Sequence, residues 1–288
     1  MRWRGSFVAL VTPMAENGDI ALDQWRALIQ EHLLSGTAGI VVNGTTGESP
    51  TLNTEEFELL LKEAMTLVNG KIPIIAGTGT NSTQKTIQQT QKALELGANA
   101  CLIITPYYNK PTQKGLIAHY HAVADVGLPV ILYNAPGRTL CDCLPDTLLE
   151  IAKHPNLIAI KECVRDLSRV TFYKEKLPNL SLLTGEDDLI LDFMKAGGDG
   201  TISVTANVVP QLMHQFLEFC LNKNWSAAEH LHTLLLPLHH ALFVQTNPIP
   251  VKWALHFLRK IDSGIRLPLL PLEPIYRHTL ENILMDFK

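Results

Sequence analysis

A chain of 288 residues can bury a large core without disulfide or metal staples, and 46% hydrophobic with 18% charged residues is the make-up of an ordinary globular protein. A formal net charge of −4, with no long Lys/Arg run, argues against nucleic acid or an anionic membrane surface as partner. The cysteines Cys101, Cys141, Cys143, Cys163 and Cys220 form no Cys-x-x-Cys pair and read as reduced thiols of a cytoplasmic enzyme, not as a disulfide framework.

Met1 to Ser6 lead straight into a strand signal, with no apolar stretch and small-residue cleavage site, so no signal peptide is expected. Phe7–Val11 is the first of eight short Val- and Ile-rich runs. The others are Gly39–Asn43, Ile72–Ala76, Cys101–Ile104, Val130–Tyr133, Ile158–Lys161, Leu180–Thr184 and Gly200–Val204. Runs that are apolar throughout predict parallel strands covered on both faces. Between them lie segments with helical spacing and capping chemistry. Asn53-Thr54-Glu55-Glu56 precedes Phe57 and Leu60, Ser82-Thr83-Gln84 precedes Ile87, and Pro145 opens the segment that holds Leu148 and Ile151. Gly97 and Gly127 follow helical runs where a left-handed cap is cheap for glycine.

Beyond about residue 207 the strand signals stop, and helical periodicity runs through Leu212–Phe219, Ala227–Leu242, Pro250–Leu258 and Pro274–Met285. The leucine-rich stretch Leu231–Leu242 is broken by Pro237 and carries His230, His232, His239 and His240, so it is no membrane span. These histidines are expected away from the site, partly at the surface and partly in the core. The pattern predicts an α/β fold: a (β/α)8 TIM barrel over residues 1–207 with a C-terminal helical extension over 208–288. An open doubly wound sheet is the alternative.

A barrel of this kind carries its chemistry at the C-terminal ends of its strands. There the sequence places Gly44-Thr45-Thr46-Gly47-Glu48, Thr105-Pro106-Tyr107-Tyr108-Asn109, Tyr133-Asn134-Ala135-Pro136-Gly137-Arg138, Lys161-Glu162, Thr184-Gly185-Glu186-Asp187 and Ser203-Val204-Thr205. Lys161 follows Leu157-Ile158-Ala159-Ile160, so its ammonium should project into the barrel mouth, where desolvation favours a neutral, nucleophilic amine. A strand-end lysine snorkelling to water is the plainer reading. Tyr133 ends the neighbouring strand and suits a proton relay, with Thr45 and Tyr107 or Tyr108 as further hydroxyls; core packing is its alternative. Gly44 and Gly47 suggest a tight turn offering hydroxyls and N–H groups to an anion, and Arg138 suits a substrate carboxylate or a surface ion pair. No His-Glu-x-x-His, P-loop or Gly-x-Gly-x-x-Gly after a strand occurs, so neither a metal nor another cofactor is expected.

Taken together, these strand ends resemble the dihydrodipicolinate synthase family, within the N-acetylneuraminate lyase superfamily. Further matches are Val11-Thr12-Pro13-Met14, Ile75-Ala76-Gly77-Thr78-Gly79, Ile202-Ser203-Val204-Thr205-Ala206-Asn207 and Asn247-Pro248-Ile249-Pro250-Val251-Lys252. The resemblance implies that Lys161 forms a Schiff base with pyruvate and that Tyr133, Thr45 and Tyr108 relay protons, Tyr108 reaching in from a neighbouring subunit. It further implies that Thr46 binds the pyruvate carboxylate, that Arg138 holds the carboxylate of L-aspartate semialdehyde, and that Gly185 and Ile202 line the pocket. A homo-oligomer, a tetramer built as a dimer of dimers, is expected with it.

The chain departs from the family pattern at Cys163-Val164-Arg165 and at Leu140, which stands where a glycine is usual. At the positions of the family's lysine-effector site it carries Thr54, Phe57 and Lys85, although Asn81 and Tyr107 remain. A cation at 85 repels an ammonium, so weak or absent lysine feedback is expected. A pyruvate-dependent lyase for sialic or 2-keto-3-deoxy sugar acids, and a non-catalytic barrel that binds small acids, are the competing readings.

Overall fold

Successive side chains of a strand point to opposite faces, so a strand covered on both sides needs apolar residues at every position. The computed structural model describes residues 3–287, and both layers are filled in it. Phe7, Val41, Ile75, Leu102, Ile131 and Leu183 point into the barrel, whereas Val8, Ile40, Ile74, Ile103, Leu132 and Leu182 point outward against helices.

In chain order the elements are β1 (Gly5–Ala9), α1 (Leu22–Leu34), β2 (Gly39–Val42), α2 (Thr54–Val68), β3 (Ile74–Gly77), α3 (Thr83–Glu95), β4 (Ala100–Ile104), α4 (Gln113–Ala124), β5 (Val130–Asn134), α5 (Pro136–Thr139), α6 (Pro145–Ile151), β6 (Leu157–Glu162), α7 (Ser168–Lys176), β7 (Ser181–Thr184), α8 (Ile190–Lys195), β8 (Gly200–Ser203), α9 (Pro210–Leu221), α10 (Trp225–Ala241), α11 (Ile249–Phe257) and α12 (Pro274–Met285). Each strand pairs in parallel with its sequence neighbours, and β1 pairs with β8. The sheet closes into an eight-stranded barrel, and the open doubly wound alternative is excluded.

Local chemistry sets the helix ends. Asn53 and Glu56 form a reciprocal capping box at α2, and the Ser82 hydroxyl caps α3 by accepting from the Lys85 N–H. Pro145 occupies the first turn of α6. Gly97 and Gly127 have φ of +86° and +98°, the left-handed conformation expected of them.

α9 covers β1 and completes the eighth strand–helix unit. α10 then packs on α9 and on α8, and it brings a correction. His239 lies buried with Nδ1 2.8 Å from the Thr205 hydroxyl, just past β8, and His240 Nε2 is 3.7 Å from Asp188 past β7. These histidines therefore border the loops of the barrel mouth instead of standing apart from it, because α10 runs along that side of the barrel. Among the described residues, no helix is long and apolar enough to cross a membrane.

Candidate active site

The loops above the barrel are held in place by buried polar side chains, and these fix the site. The Thr12 hydroxyl donates to the Gly47 carbonyl at 2.7 Å, and the Gly47 N–H closes a turn on the Gly44 carbonyl at 3.1 Å. The left-handed positions flanking this turn are not its glycines but Asn43, at φ 60°, and Glu48, at φ 58°. Asn43 is anchored by its amide, which donates to the Gly77 carbonyl at 2.7 Å. At the end of β5, Asn134 donates to Asp142 and to Glu162, each at 2.9 Å, and its carbonyl accepts the Cys143 N–H. The Thr105 hydroxyl meets that of Thr139 at 2.9 Å and donates to the Cys141 carbonyl, which seats the short helix α5 carrying Arg138. Leu140 ends α5 at φ 56° and is exposed. Left-handed backbone disfavours a branched side chain and favours glycine, so Leu140 sits there at a cost.

Within this frame Lys161 shares the inward face of β6 with Ala159, and its side chain enters the barrel mouth. The residue is 6% exposed. Its register partner on β5 is Tyr133, and the lysine Nζ lies 4.3 Å from the centre of the tyrosine ring. Burial lowers the lysine pKa, the Arg138 charge adds to the effect, and Asp187 and Glu186 act against it. The alternative, a lysine snorkelling to water, is not seen. Burial likewise pushes the Tyr133 phenol well above its ordinary value, while Arg138 and the Thr45 hydroxyl draw it back.

A cavity of about 630 Å³, its open mouth included, is lined by Lys161, Tyr133, Thr45, Thr46, Arg138 and Gly185 together with Gly44, Cys163, Glu186, Phe243 and Asn247. Six of the eight expected site residues thus converge on one space. A side-chain carbon at Gly185 would overlap both Lys161 Cε and Cys163 Sγ, so the lysine has room only beside glycine. Ile202 sits on the inner face of β8, opposite Phe7, but not on the cavity wall. Tyr108 is 88% exposed, has φ 73°, and does not reach the cavity of its own chain. Tyr107 lines an adjoining depression together with Thr45 and Arg138. Among the described residues, no three His, Cys, Asp or Glu side chains converge as metal ligands.

Two contributors come from the C-terminal extension, one from the turn before α11 and one from α11 itself, and the individual residues gave no sign of them. Asn247 lines the cavity, and its amide donates to the Thr46 hydroxyl at 3.0 Å across 201 positions of sequence. Lys252 reaches Glu48 in a buried ion pair. Both residues fall within Asn247-Pro248-Ile249-Pro250-Val251-Lys252, a stretch that only its likeness to a family picked out. The third, Glu186, stood among the strand ends without a role.

The family model for the "Dihydrodipicolinate synthetase family" matches residues 2–286. A 4-hydroxy-tetrahydrodipicolinate synthase of Coxiella burnetii is 50% identical over 275 residues, covering 95% of this chain and 94% of that protein. The synthase of Alcanivorax borkumensis is 47% identical over 283 residues, with 96% of each chain covered. Among solved structures, the chloride-inhibited dihydrodipicolinate synthase of Acinetobacter baumannii, complexed with pyruvate, superimposes with a TM-score of 0.97 at 45% identity, covering 99% of this chain and 98% of that one. A monomeric dihydrodipicolinate synthase variant gives a TM-score of 0.96 at 41% identity, covering 99% of this chain and 96% of that one. With the match extending over nearly the whole length, the chain belongs to the dihydrodipicolinate synthetase family.

Proposed function

We propose that the chain condenses pyruvate with L-aspartate 4-semialdehyde to 4-hydroxy-tetrahydrodipicolinate, a Schiff-base lyase step of diaminopimelate and lysine biosynthesis. The observation that carries this reading is Lys161, buried at the inner end of β6 against Tyr133, with its charged form disfavoured.

In this reading the neutral Lys161 amine attacks the pyruvate ketone, and water leaves through Tyr133 and Thr45. The imine draws electrons, a methyl proton departs, and the enamine carbon attacks the aldehyde. The substrate's own amine then displaces Lys161 and closes the ring. Thr46, its hydroxyl oriented by Asn247, receives the pyruvate carboxylate. Arg138 receives the carboxylate of the aldehyde. Gly185 keeps space for the lysine, and Ile202 supplies backbone beneath the cavity. A fixed hydroxyl relay contributes typically about 10²–10⁴-fold to rate.

Tyr108, exposed on its own subunit, is assigned to the relay of a neighbouring subunit, which makes the active form at least a dimer and, by family likeness, a tetramer of two dimers. One structural relative is described as monomeric, so the fold alone does not dictate that assembly. The five free cysteines accord with a reducing cytoplasm.

The competing aldolase reading, cleavage of polyhydroxylated acids, is disfavoured by Arg138 at the mouth. Steady-state assays with pyruvate plus aspartate semialdehyde, and separately with N-acetylneuraminate, test this. Turnover of the first pair alone is expected, and turnover of the sugar acid alone would overturn the reading.

A further inference from the structure

Among the described residues on the cavity wall, Glu186 is the only carboxylate, and Lys161 and Arg138 are the only lysine and arginine. Both of these have work in the condensation, and Glu186 has none. Its placement is nevertheless specific. Arg138 stands beyond the end of β5, Glu186 beyond β7, and Lys161 on β6 between them. An amino acid lying over the lysine therefore meets a cation on one side and an anion on the other.

Glu186 is held in place. Its N–H donates to the Thr184 hydroxyl at 3.1 Å, and its carboxylate accepts from Arg165 at 3.2 Å. Arg165 gives its stronger, two-pronged grip to Asp188, at 3.0 and 2.8 Å, so most of its charge is answered there. The Glu186 side chain is 31% exposed and lines the same cavity as Cys163, Lys161 and Tyr133. Asp188 shares Arg165 with it and lies 3.7 Å from His240. Two of the residues that hold or face it, Cys163 and Arg165, are those at which this chain departs from its family.

We propose that Glu186 binds the α-ammonium group of the second substrate and accepts the first of its protons before ring closure. The inference rests on the condensation proposed above. One N–H bond of the ammonium breaks and the proton passes to the Glu186 carboxylate. The freed lone pair forms a C–N bond at the iminium carbon. As the C–Nζ bond breaks, the nitrogen's two remaining hydrogens join the one already on Lys161, which leaves as an ammonium ion, so charge and hydrogen count are conserved. Burial raises the Glu186 pKa, against the pull of Arg165, and a carboxylate so placed is a better base than one in water. Arg138 and Glu186 together then select an aldehyde that carries both an acid and an amine.

The test compares the full-length wild-type chain with Glu186→Gln and Glu186→Asp. Pyruvate and borohydride should label Lys161 to completion in all three, because the lysine amine, not Glu186, captures the ketone. With aspartate semialdehyde, Glu186→Gln should lower kcat/KM by about 100-fold and remove the acid limb of its pH profile, and Glu186→Asp should restore part of both. With 4-oxobutanoate, which has the aldehyde and the carboxylate but no amine, the rate at which the two-component adduct appears by mass should match wild type. Equal losses with both aldehydes, or an unchanged kcat/KM for aspartate semialdehyde in Glu186→Gln, would overturn the proposal. Absence of the pyruvate adduct from the wild-type chain would instead sink the condensation itself.

Discussion

Replacing Lys252 by methionine strands a carboxylate beneath the turn that presents Thr45 and Thr46. Lys252 Nζ donates to Glu48 Oε1 at 2.5 Å, and the two side chains are 4% and 1% exposed. The other Glu48 oxygen accepts the Arg266 N–H at 3.1 Å. At the 2.5 Å separation of Lys252 and Glu48 and an effective dielectric constant of about 20, the attraction is roughly 7 kcal/mol. Desolvation of two buried ions offsets most of it, so the pair as a whole adds little net stability. Removing one member is a different matter, because the remaining carboxylate is buried with its ion-pair partner gone and only the Arg266 N–H left to it. Lys252→Met should therefore cost about 3–5 kcal/mol, and Glu48→Gln combined with Lys252→Met should recover most of that loss. Urea unfolding at fixed protein concentration, with the four members of the double-mutant cycle, measures both quantities. Because Glu48 terminates the Gly44–Glu48 turn, Lys252→Met should also raise KM for pyruvate. A cost below about 1 kcal/mol for Lys252→Met, or a double variant no more stable than the single one, would refute the reasoning.

Gly185→Ala should leave the fold intact yet slow Schiff-base formation by about 100-fold, because the new carbon displaces Lys161 Cε; stopped-flow trapping with pyruvate reads this, and a wild-type rate would contradict it. Glu162 gives a pH signature. Burial raises its carboxyl to about 7 from 4.5, while the nearest cation, Arg169, is 3.7 Å away and engaged with Asp142. The folded chain thus keeps a proton that the unfolded chain releases, and this contribution makes stability fall as pH rises from 4.5 to about 7, by roughly 3 kcal/mol at most. Glu162→Gln should flatten that slope, and an unchanged slope in urea titrations would remove the cause named here. Finally, Lys85 and Lys92 line the same depression as Thr54 and Phe57. L-Lysine should therefore leave the initial rate unaltered, and strong inhibition at sub-millimolar lysine would show that these cations do not repel it.

What could be read in advance, and what could not, follows from the range of the interactions involved. Strand identity was legible because a parallel barrel buries both faces of each strand, so Ile74, Ile75 and Ala76 all had to be apolar. Strand limits were less so. The first apolar run is Phe7–Val11, yet β1 spans Gly5–Ala9. Leu10 and Val11 remain buried after the strand ends, and the Val11 N–H is taken by the Asn207 side chain. Helix starts such as Asn53 and Ser82 were visible because a cap is a contact within four residues. Lys161 was legible as a lysine closing the apolar run Leu157-Ile158-Ala159-Ile160, but a register shift opposite Val130 and Ile131 interrupts simple alternation along β6, and its Schiff-base role came only with the family resemblance. Asn247 on Thr46 and Lys252 on Glu48 were not legible, since nothing local to either partner encodes a contact about 200 residues away. The same holds for α10, whose course along the mouth brings His239 to Thr205.

The chemistry assigned to this chain turns on whether the Lys161 amine captures a ketone. Intact mass of the chain after incubation with pyruvate and borohydride, followed by peptide mapping, measures it directly. A single reduced pyruvate adduct is expected on the peptide containing Lys161, lost in Lys161→Ala. An unchanged mass, or an adduct on another side chain, would contradict it.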